Sequence, residues 1–295
     1  MNQKSKTYRI FEVFNYIFLT LVALICILPF LHVLAVSLSS NAAVNSGTVT
    51  FFPKDFSLEA YKYLAGKTEF LRSLLVSVKR VIIGTAIGVT TTILCAYPLS
   101  KENSDFKLRK YYVWIFIFAM LFNGGLIPTY LVVKQVGFID TIWALVIPGA
   151  VATGNIILML NFFRGIPKAL EEAALIDGAN HWTILFKVYL PLSTASIATI
   201  TLFTMVGHWN DWFAPLLYMN NTANYPLATY LQNMIQASSL IKDATDPELI
   251  KQLLAIGNKT LQSSQIFLGA LPILCVYPFL QKYFAKGITI GSVKG

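Results

Sequence analysis

The sequence predicts an all-α, polytopic membrane protein, and two observations carry that reading. Hydrophobic residues make up 56% of the 295 and charged residues 13%, against roughly 25% charged in an ordinary soluble domain. The apolar residues gather into six runs, about 13–37, 79–99, 111–133, 141–163, 194–218 and 266–284. Each run reaches or exceeds the roughly 18 residues a spanning helix requires. A spanning strand needs only about 9–11 residues, and an open sheet edge has no partner in lipid.

The first run follows Lys4, Lys6 and Arg9. It exceeds the roughly 7–15-residue core of a cleaved signal, and only weak cleavage candidates, Ala43 and Ser46, follow. It reads as a retained anchor, so that residues 1–72 form an N-terminal transmembrane helix with an outer loop. In that loop, Ser39–Arg72, a short surface helix is expected over 57–64 with Ser57 as its N-cap. Lys79 and Arg80 open the second run. A cation at mid-bilayer costs roughly 2.5–3.5 kcal/mol, so they are expected to snorkel at the outer boundary or to face a wet cavity. Gly84-x-x-x-Gly88 within that run permits close helix packing, more often local than between subunits. Between the fourth and fifth runs lies a short amphipathic stretch, 164–191. The fifth run is followed by a polar outer loop, 219–264, in which Leu249–Leu261 reads as a helix. The chain closes on a short tail, 285–295.

With six spans both termini share a side. If that side is the cytoplasm, the inner segments hold Lys4, Lys6, Arg9, Lys101, Lys107, Arg109, Lys110, Arg164, Lys168, Lys187, Lys282, Lys286 and Lys294, more than half of the 23 Lys and Arg. They are densest at 101–110, which favours cytoplasmic termini. The +9 net charge therefore reflects topology and not nucleic-acid binding.

Catalytic and metal chemistry find no footing. Cys26, Cys95 and Cys275 fall in separate spans and read as small packing residues. Ala65-Gly66-Lys67-Thr68 matches the end of a phosphate-binding loop, but Tyr61 stands where the first glycine of that loop belongs. His32, His181 and His208 are scattered. The chain reads as a non-catalytic protein without a cofactor of its own.

The most informative stretch is Glu172–Pro191. Pro167 suits a first helical position, and Glu171 and Glu172 lie where a helix dipole favours acids. Leu170, Ala173 and Ala174 fall at i, i+3, i+4 and form a shallow apolar stripe. Gly178 suits the residue just past a helix end. Asn180 can cap a second short helix with Ile184, Leu185 and Val188 on one face, and Pro191 opens the fifth span. On periodicity alone this is an amphipathic helix–turn–helix at a membrane surface.

The full spacing is more specific: Glu172-Ala173-Ala174, then Gly178, then Val188-x-Leu190-Pro191. It resembles the "EAA" loop of the binding-protein-dependent type I ABC importer permeases. The resemblance covers nearly the whole chain and is strongest to the carbohydrate-uptake permeases. These include the second permease subunit of the maltose transporter and the polysaccharide and oligosaccharide permeases of Gram-positive bacteria. Supporting stretches are Asn123–Tyr130, Trp209–Leu216 and Lys286–Gly295. The resemblance implies a permease core over 73–284, with 164–191 as a cytoplasmic coupling loop. It implies that Glu172, Ala173, Ala174, Gly178, Leu190 and Pro191 dock onto a separate dimeric ATPase that carries the ATP and Mg. It also implies a second, homologous permease subunit, an extracytoplasmic binding protein that meets loop 219–264, a sugar or oligosaccharide substrate, and a tail that reaches the ATPase.

The substrate path rests on weaker signals. Polar groups inside spans tend to face the bundle interior or a cavity, which selects Asn123, Asn155, Asn161, His208, Asn210 and Asp211. Trp209 and Trp212 are three apart, so one helix face can present both to a sugar; interfacial anchoring is the alternative. Asn155 and Asn161 equally suit inter-helix hydrogen bonds. Beside the sugar importer stand a permease for a peptide or polyamine and a stand-alone secondary transporter. The second of these would need inverted repeats and coupling-ion sites.

Overall fold

The computed structural model describes residues 6–122, 124–238 and 257–291, and the described elements are helical. Among the described residues three helices are long and apolar enough to cross a membrane: Tyr8–Ser37, Thr68–Ser100 and Asn258–Pro278. Two strongly bent helix pairs would raise the count to five. The chain divides into two compact units, 1–68 with 231–272, and 69–230 with 273–295.

The first unit begins with α1 (Lys6–Ser37). From Tyr8 to Leu31 its large apolar side chains are exposed, among them Phe11, Phe14, Phe18 and Ile25. A helix that exposes large apolar side chains all round is suited to lipid. Its last turn packs Ala35 and Val36 against Ala43 and Val44 of α2 (Asn41–Asn45). Ser40 caps α2 by accepting from the Ala43 N–H. The expected surface helix is α3 (Glu59–Ala65), and its cap position is Leu58. Ser57 lies one residue outside the cap, where its hydroxyl accepts from the Glu59 N–H. Ala60 and Leu64 of α3 are buried against Leu261. The Tyr61 hydroxyl bonds that of Ser37 at 2.7 Å.

The second unit is built on α4 (Thr68–Ser100), which starts eleven residues before the apolar run that predicted it. Its buried stripe is small and mostly four-spaced: Ser73, Ser77, Gly84, Gly88, Thr92 and Ala96. Small residues at that spacing let neighbouring backbones approach closely. A Cβ at Gly84 would overlap the His208 ring, and one at Gly88 would press on Thr204 Cγ2. The Gly84-x-x-x-Gly88 pair thus packs within the chain.

Each of the next three predicted spans is interrupted. The third is α5 (Arg109–Leu121) and α6 (Leu126–Gln135), bent by 116° where Gly124 and Gly125 weaken helix continuity. The fourth is α7 (Ile142–Val146) and α8 (Thr153–Arg164). Between these two, Pro148 cannot donate to a helix and Gly149 costs it entropy. The freed Ala150 carbonyl accepts from the Thr91 hydroxyl at 2.7 Å.

The fifth is α12 (Thr194–Asn210) and α13 (Phe213–Tyr218); α9 to α11 precede it and are described below. Asp211 ends the first of these helices and starts the second, since its Oδ1 accepts from the Phe213 and Ala214 N–H groups. Trp209 and Trp212 therefore do not share one helix face, contrary to the sequence reading.

The predicted outer loop 219–264 is partly helical. A single 3-10 turn, Thr222–Asn224, leads to α14 (Leu227–Ser238), and α15 (Asn258–Gly291) begins six residues before the loop was expected to end. Of the helix expected over Leu249–Leu261, residues 249–256 lie outside the described residues. Cys95 packs beside the core as expected, but Cys26 and Cys275 are exposed.

The main core of the second unit joins four segments. Ala96, Tyr97 and Leu99 of α4 meet Ile156, Met159 and Phe163 of α8, then Ile184, Leu185 and Tyr189, and Ile200 of α12. That core fixes the 164–191 stretch from behind.

Candidate functional site

The stretch begins with α9 (Lys168–Ile176), preceded by Pro167 in the cap position. Its end is a Schellman closure: the Ala179 N–H bonds the Ala174 carbonyl at 2.9 Å, and the Gly178 N–H bonds Leu175 at 3.0 Å. The closure requires a left-handed residue, and Gly178 has φ +79°. Asn180 then caps α10 (His181–Ile184), its Oδ1 accepting from the Thr183 N–H at 2.8 Å.

A π-helical turn, Leu185–Tyr189, follows, and then α11 (Leu190–Leu192). Pro191 accounts for the widened turn, because a proline ring clashes with the carbonyl four residues back in a regular α-helix. Segment 181–192 meets α12 at 83° around the buried Ser193. If α12 crosses a membrane, 181–192 lies along its surface.

The two acids of α9 part company. Glu171 is held from inside: Lys101 Nζ donates to Oε1 and the Tyr189 hydroxyl to Oε2, each at 2.5 Å. Lys101 is buried and sits over two rings, 4.1 Å from the Tyr97 centroid and 4.2 Å from Tyr189. Tyr97, Phe163 and Tyr189 pack edge to face beneath it, the geometry that aromatic quadrupoles favour. Burial pulls the Lys101 ammonium below the ordinary lysine range, and its bond to the Glu171 carboxylate opposes that shift. One residue on, Glu102 pairs with Lys168 at the surface. Arg109 closes the turn by donating from Nε to the Leu99 carbonyl at 2.8 Å.

Glu172, by contrast, is exposed, as are Ala173, Gly178 and Pro191. Ala174 and Leu190 are half-buried against the core. The apolar stripe expected at Leu170, Ala173 and Ala174 is thus divided: Leu170 and Ala173 face outward and Ala174 inward. Ile176 is 86% exposed, and Trp182 and Phe186 stack on the outer side of the second segment at 6.3 Å. A cleft of about 1010 Å³ beside α9 is lined by Lys101, Glu102, Asp105, Arg109, Lys168 and Glu172, among others. The hairpin therefore combines a fixed inner face with an exposed outer one that carries an acid, small residues and large apolar groups. Such a surface can seat a protein partner and transmit its movement.

Sequence reasoning missed Lys101, Glu171 and Tyr189. The one available signal was the i, i+3 spacing of Glu171 and Ala174, which puts both on one face of α9.

Among the described residues the substrate-path candidates take different surroundings. Asn123 lies outside the described residues. Asn155 donates to Thr204 Oγ1 of α12 at 3.4 Å, the inter-helix role, whereas Asn161 is exposed. Trp209 is half-buried, Asn210 exposed, and Trp212 40% exposed and edge-on to Phe213 at 5.7 Å. Asp211 is engaged by Arg80, with Nη2 2.5 Å from Oδ2 and Nη1 2.8 Å from the Asp211 carbonyl. Arg80 is 2% exposed, so it is a buried partner and not the snorkelling cation the sequence suggested.

Comparison with known proteins places this geometry. The family described as binding-protein-dependent transport system inner membrane component matches residues 1–290. Protein LplC of Bacillus subtilis is 44% identical over 99% of this chain and 97% of its own length. The polygalacturonan/rhamnogalacturonan transport system permease protein YtcP of the same organism is 42% identical over 97% and 99%. Among solved structures, a chain of a bacterial ABC transporter involved in the import of the acidic polysaccharide alginate superposes with a TM-score of 0.84. That chain is 32% identical, and the match covers 96% of this chain and 100% of that one.

Proposed function

This chain belongs to the family of binding-protein-dependent transport system inner membrane components, and we propose that it is the non-catalytic permease subunit of an ATP-driven importer for a sugar or oligosaccharide. The observation that carries the energy-coupling part is the exposed Glu172–Ala173 face of α9, on a hairpin closed by Gly178 and tied down from behind through Glu171. In this reading the hairpin lies on the cytoplasmic side and docks on a separate ATPase, with Glu172 meeting a donor there. Both termini are cytoplasmic. All six apolar runs cross the bilayer, three of them as interrupted spans. Non-helical backbone at membrane depth is tolerated where protein buries it or where it lines a wet cavity, and the breaks at 147–152 and at Asp211–Trp212 have internal hydrogen-bond partners of that kind.

A second homologous permease supplies the other half of the path. The binding protein meets the region 219–264 on the opposite side. Carbohydrate is favoured over a peptide or polyamine by the polygalacturonan/rhamnogalacturonan transport system of YtcP and by the alginate importer.

The test is reconstitution with the partner permease and ATPase. Glu172→Lys is expected to insert normally and to lose copurifying ATPase; retention of wild-type ATPase would refute the docking role. For the binding protein, a deletion confined to 239–256 leaves the buried Leu227 and Leu231 of α14 in place. Undiminished capture by the binding protein would then sink that contact.

A further inference from the structure

Lys101 is the first residue after α4, and three segments converge on its ammonium: α9 through Glu171, the π-helical turn through Tyr189, and α4 itself through Tyr97. Both oxygens of Glu171 accept from inside the chain, so this acid ties the hairpin inward, whereas Glu172 is left facing out. Exposed pairs such as Lys168–Glu102 contribute little. The Lys101–Glu171 side chains are only 7% and 16% exposed, and a buried pair that loses one member leaves an uncompensated charge.

The helix beyond Lys101 is built to carry a displacement. Between Arg80 and Ser100 α4 is continuous, with Pro98 falling in its last turn, a distance of about 30 Å at about 1.5 Å per residue. The predicted spans beside it are interrupted. At that distance, within the helix, Arg80 holds Asp211 at the break between α12 and α13. Between Lys101 and Arg80, Gly84 and Gly88 seat His208 and Thr204 of α12.

We propose that Lys101 is the positioning residue that joins the docking hairpin to α4, so that movement imposed on α9 reaches Arg80–Asp211 along a single rigid helix. This rests on the ATPase-docking reading above. An arginine can keep the charge, the carboxylate bond and the stacking on the rings, whereas a methionine of similar length keeps neither the charge nor the carboxylate bond.

The experiment uses the full complex of this chain, its partner permease and the ATPase, with Cys26, Cys95 and Cys275 replaced by serine. A single reporter, Lys79→Cys, is placed at an exposed position next to Arg80. Maleimide labelling rates are compared with and without Mg-ATP and vanadate. With Lys101 present, nucleotide is expected to change the rate by about tenfold, within the ordinary range of coupling between distant sites. Lys101→Met is expected to keep the ATPase bound and to bring that ratio close to one, while Lys101→Arg restores most of it. The proposal is overturned if Lys101→Met responds to nucleotide like its parent, or if Lys101→Arg fails as Met does. It is also overturned if Lys101→Met sheds the ATPase, which would make Lys101 part of the docking surface or of the fold. Failure of the docking reading is separate, because there Glu172→Lys retains the ATPase whatever Lys101 does.

Discussion

Arg80 of α4 holds Asp211, 131 residues away, through both its side chain and its carbonyl. The pair is asymmetric. The Arg80 side chain is 2% exposed and that of Asp211 33%, and Arg80 Nε has no hydrogen-bond partner among the described residues. Removing Asp211 strands a buried guanidinium. Removing Arg80 leaves a carboxylate that is one-third exposed and that still caps α13. Asp211→Ala is therefore expected to cost about 3–5 kcal/mol, and Arg80→Met clearly less. Thermal unfolding of the detergent-purified chain reads the difference. Equal losses, or a larger loss for Arg80→Met, would contradict the asymmetry.

Gly178 gives a cleaner backbone test. No atom lies within 4 Å of where its Cβ would stand, so a substitution there meets strain alone. Placing an L-residue in the left-handed region costs roughly 1–2 kcal/mol. Gly178→Ala should loosen the closure of α9 by that amount and Gly178→Asn by less, since asparagine tolerates the region. Hydrogen exchange of the Gly178 and Ala179 amides, whose bonds form the closure, should accelerate by about tenfold or somewhat more in the alanine variant. Unchanged exchange would show that the turn does not depend on glycine.

Gly84 is a test of space instead of conformation. Gly84→Ala drives a methyl into the His208 ring, and overpacking of this kind typically costs about 1–3 kcal/mol. His208→Ala should relieve it, so the double variant is expected to be more stable than Gly84→Ala alone. A thermal-stability cycle that turns out additive would mean the two residues are not in contact.

What the sequence made legible follows from the range of each signal. The 13–37 and 266–284 runs read correctly as helices because an uninterrupted apolar run is a local property. The breaks at Gly124–Gly125, at Pro148–Gly149 and at Asp211 were hidden by averaging over hydropathy. Whether a helix continues there depends on whether its freed backbone groups find partners, and those partners, such as Thr91 for Ala150, lie about 60 residues away. The hairpin ends were legible, since Gly178 and Asn180 act on their own neighbours. The division of labour between Glu171 and Glu172 was not. Adjacent residues on a helix point about 100° apart, and only the position of Lys101, 70 residues earlier, decides which acid faces inward.

The same cluster predicts a dependence on pH. Lys101 faces Glu171 on α9, the Tyr189 hydroxyl, the Tyr97 ring and, from the following turn, Asp105. Its pKa lies below 10.5 because burial disfavours the ammonium more than Glu171 restores it. As pH rises, the folded chain therefore loses this proton before the unfolded chain does. In that window the unfolded state binds more protons, so this ionisation makes the fold slightly more stable with rising pH. The joint to Glu171 nevertheless loses its cation. The nucleotide response of the Lys79→Cys reporter should thus fade on the alkaline side, at a pH below that at which an exposed lysine titrates, with no parallel fall in thermal stability. Lys101→Arg, which stays charged throughout, should keep its response over the same range. If the two proteins lose their response at the same pH, another group governs the effect, and Lys101 does not carry the coupling charge.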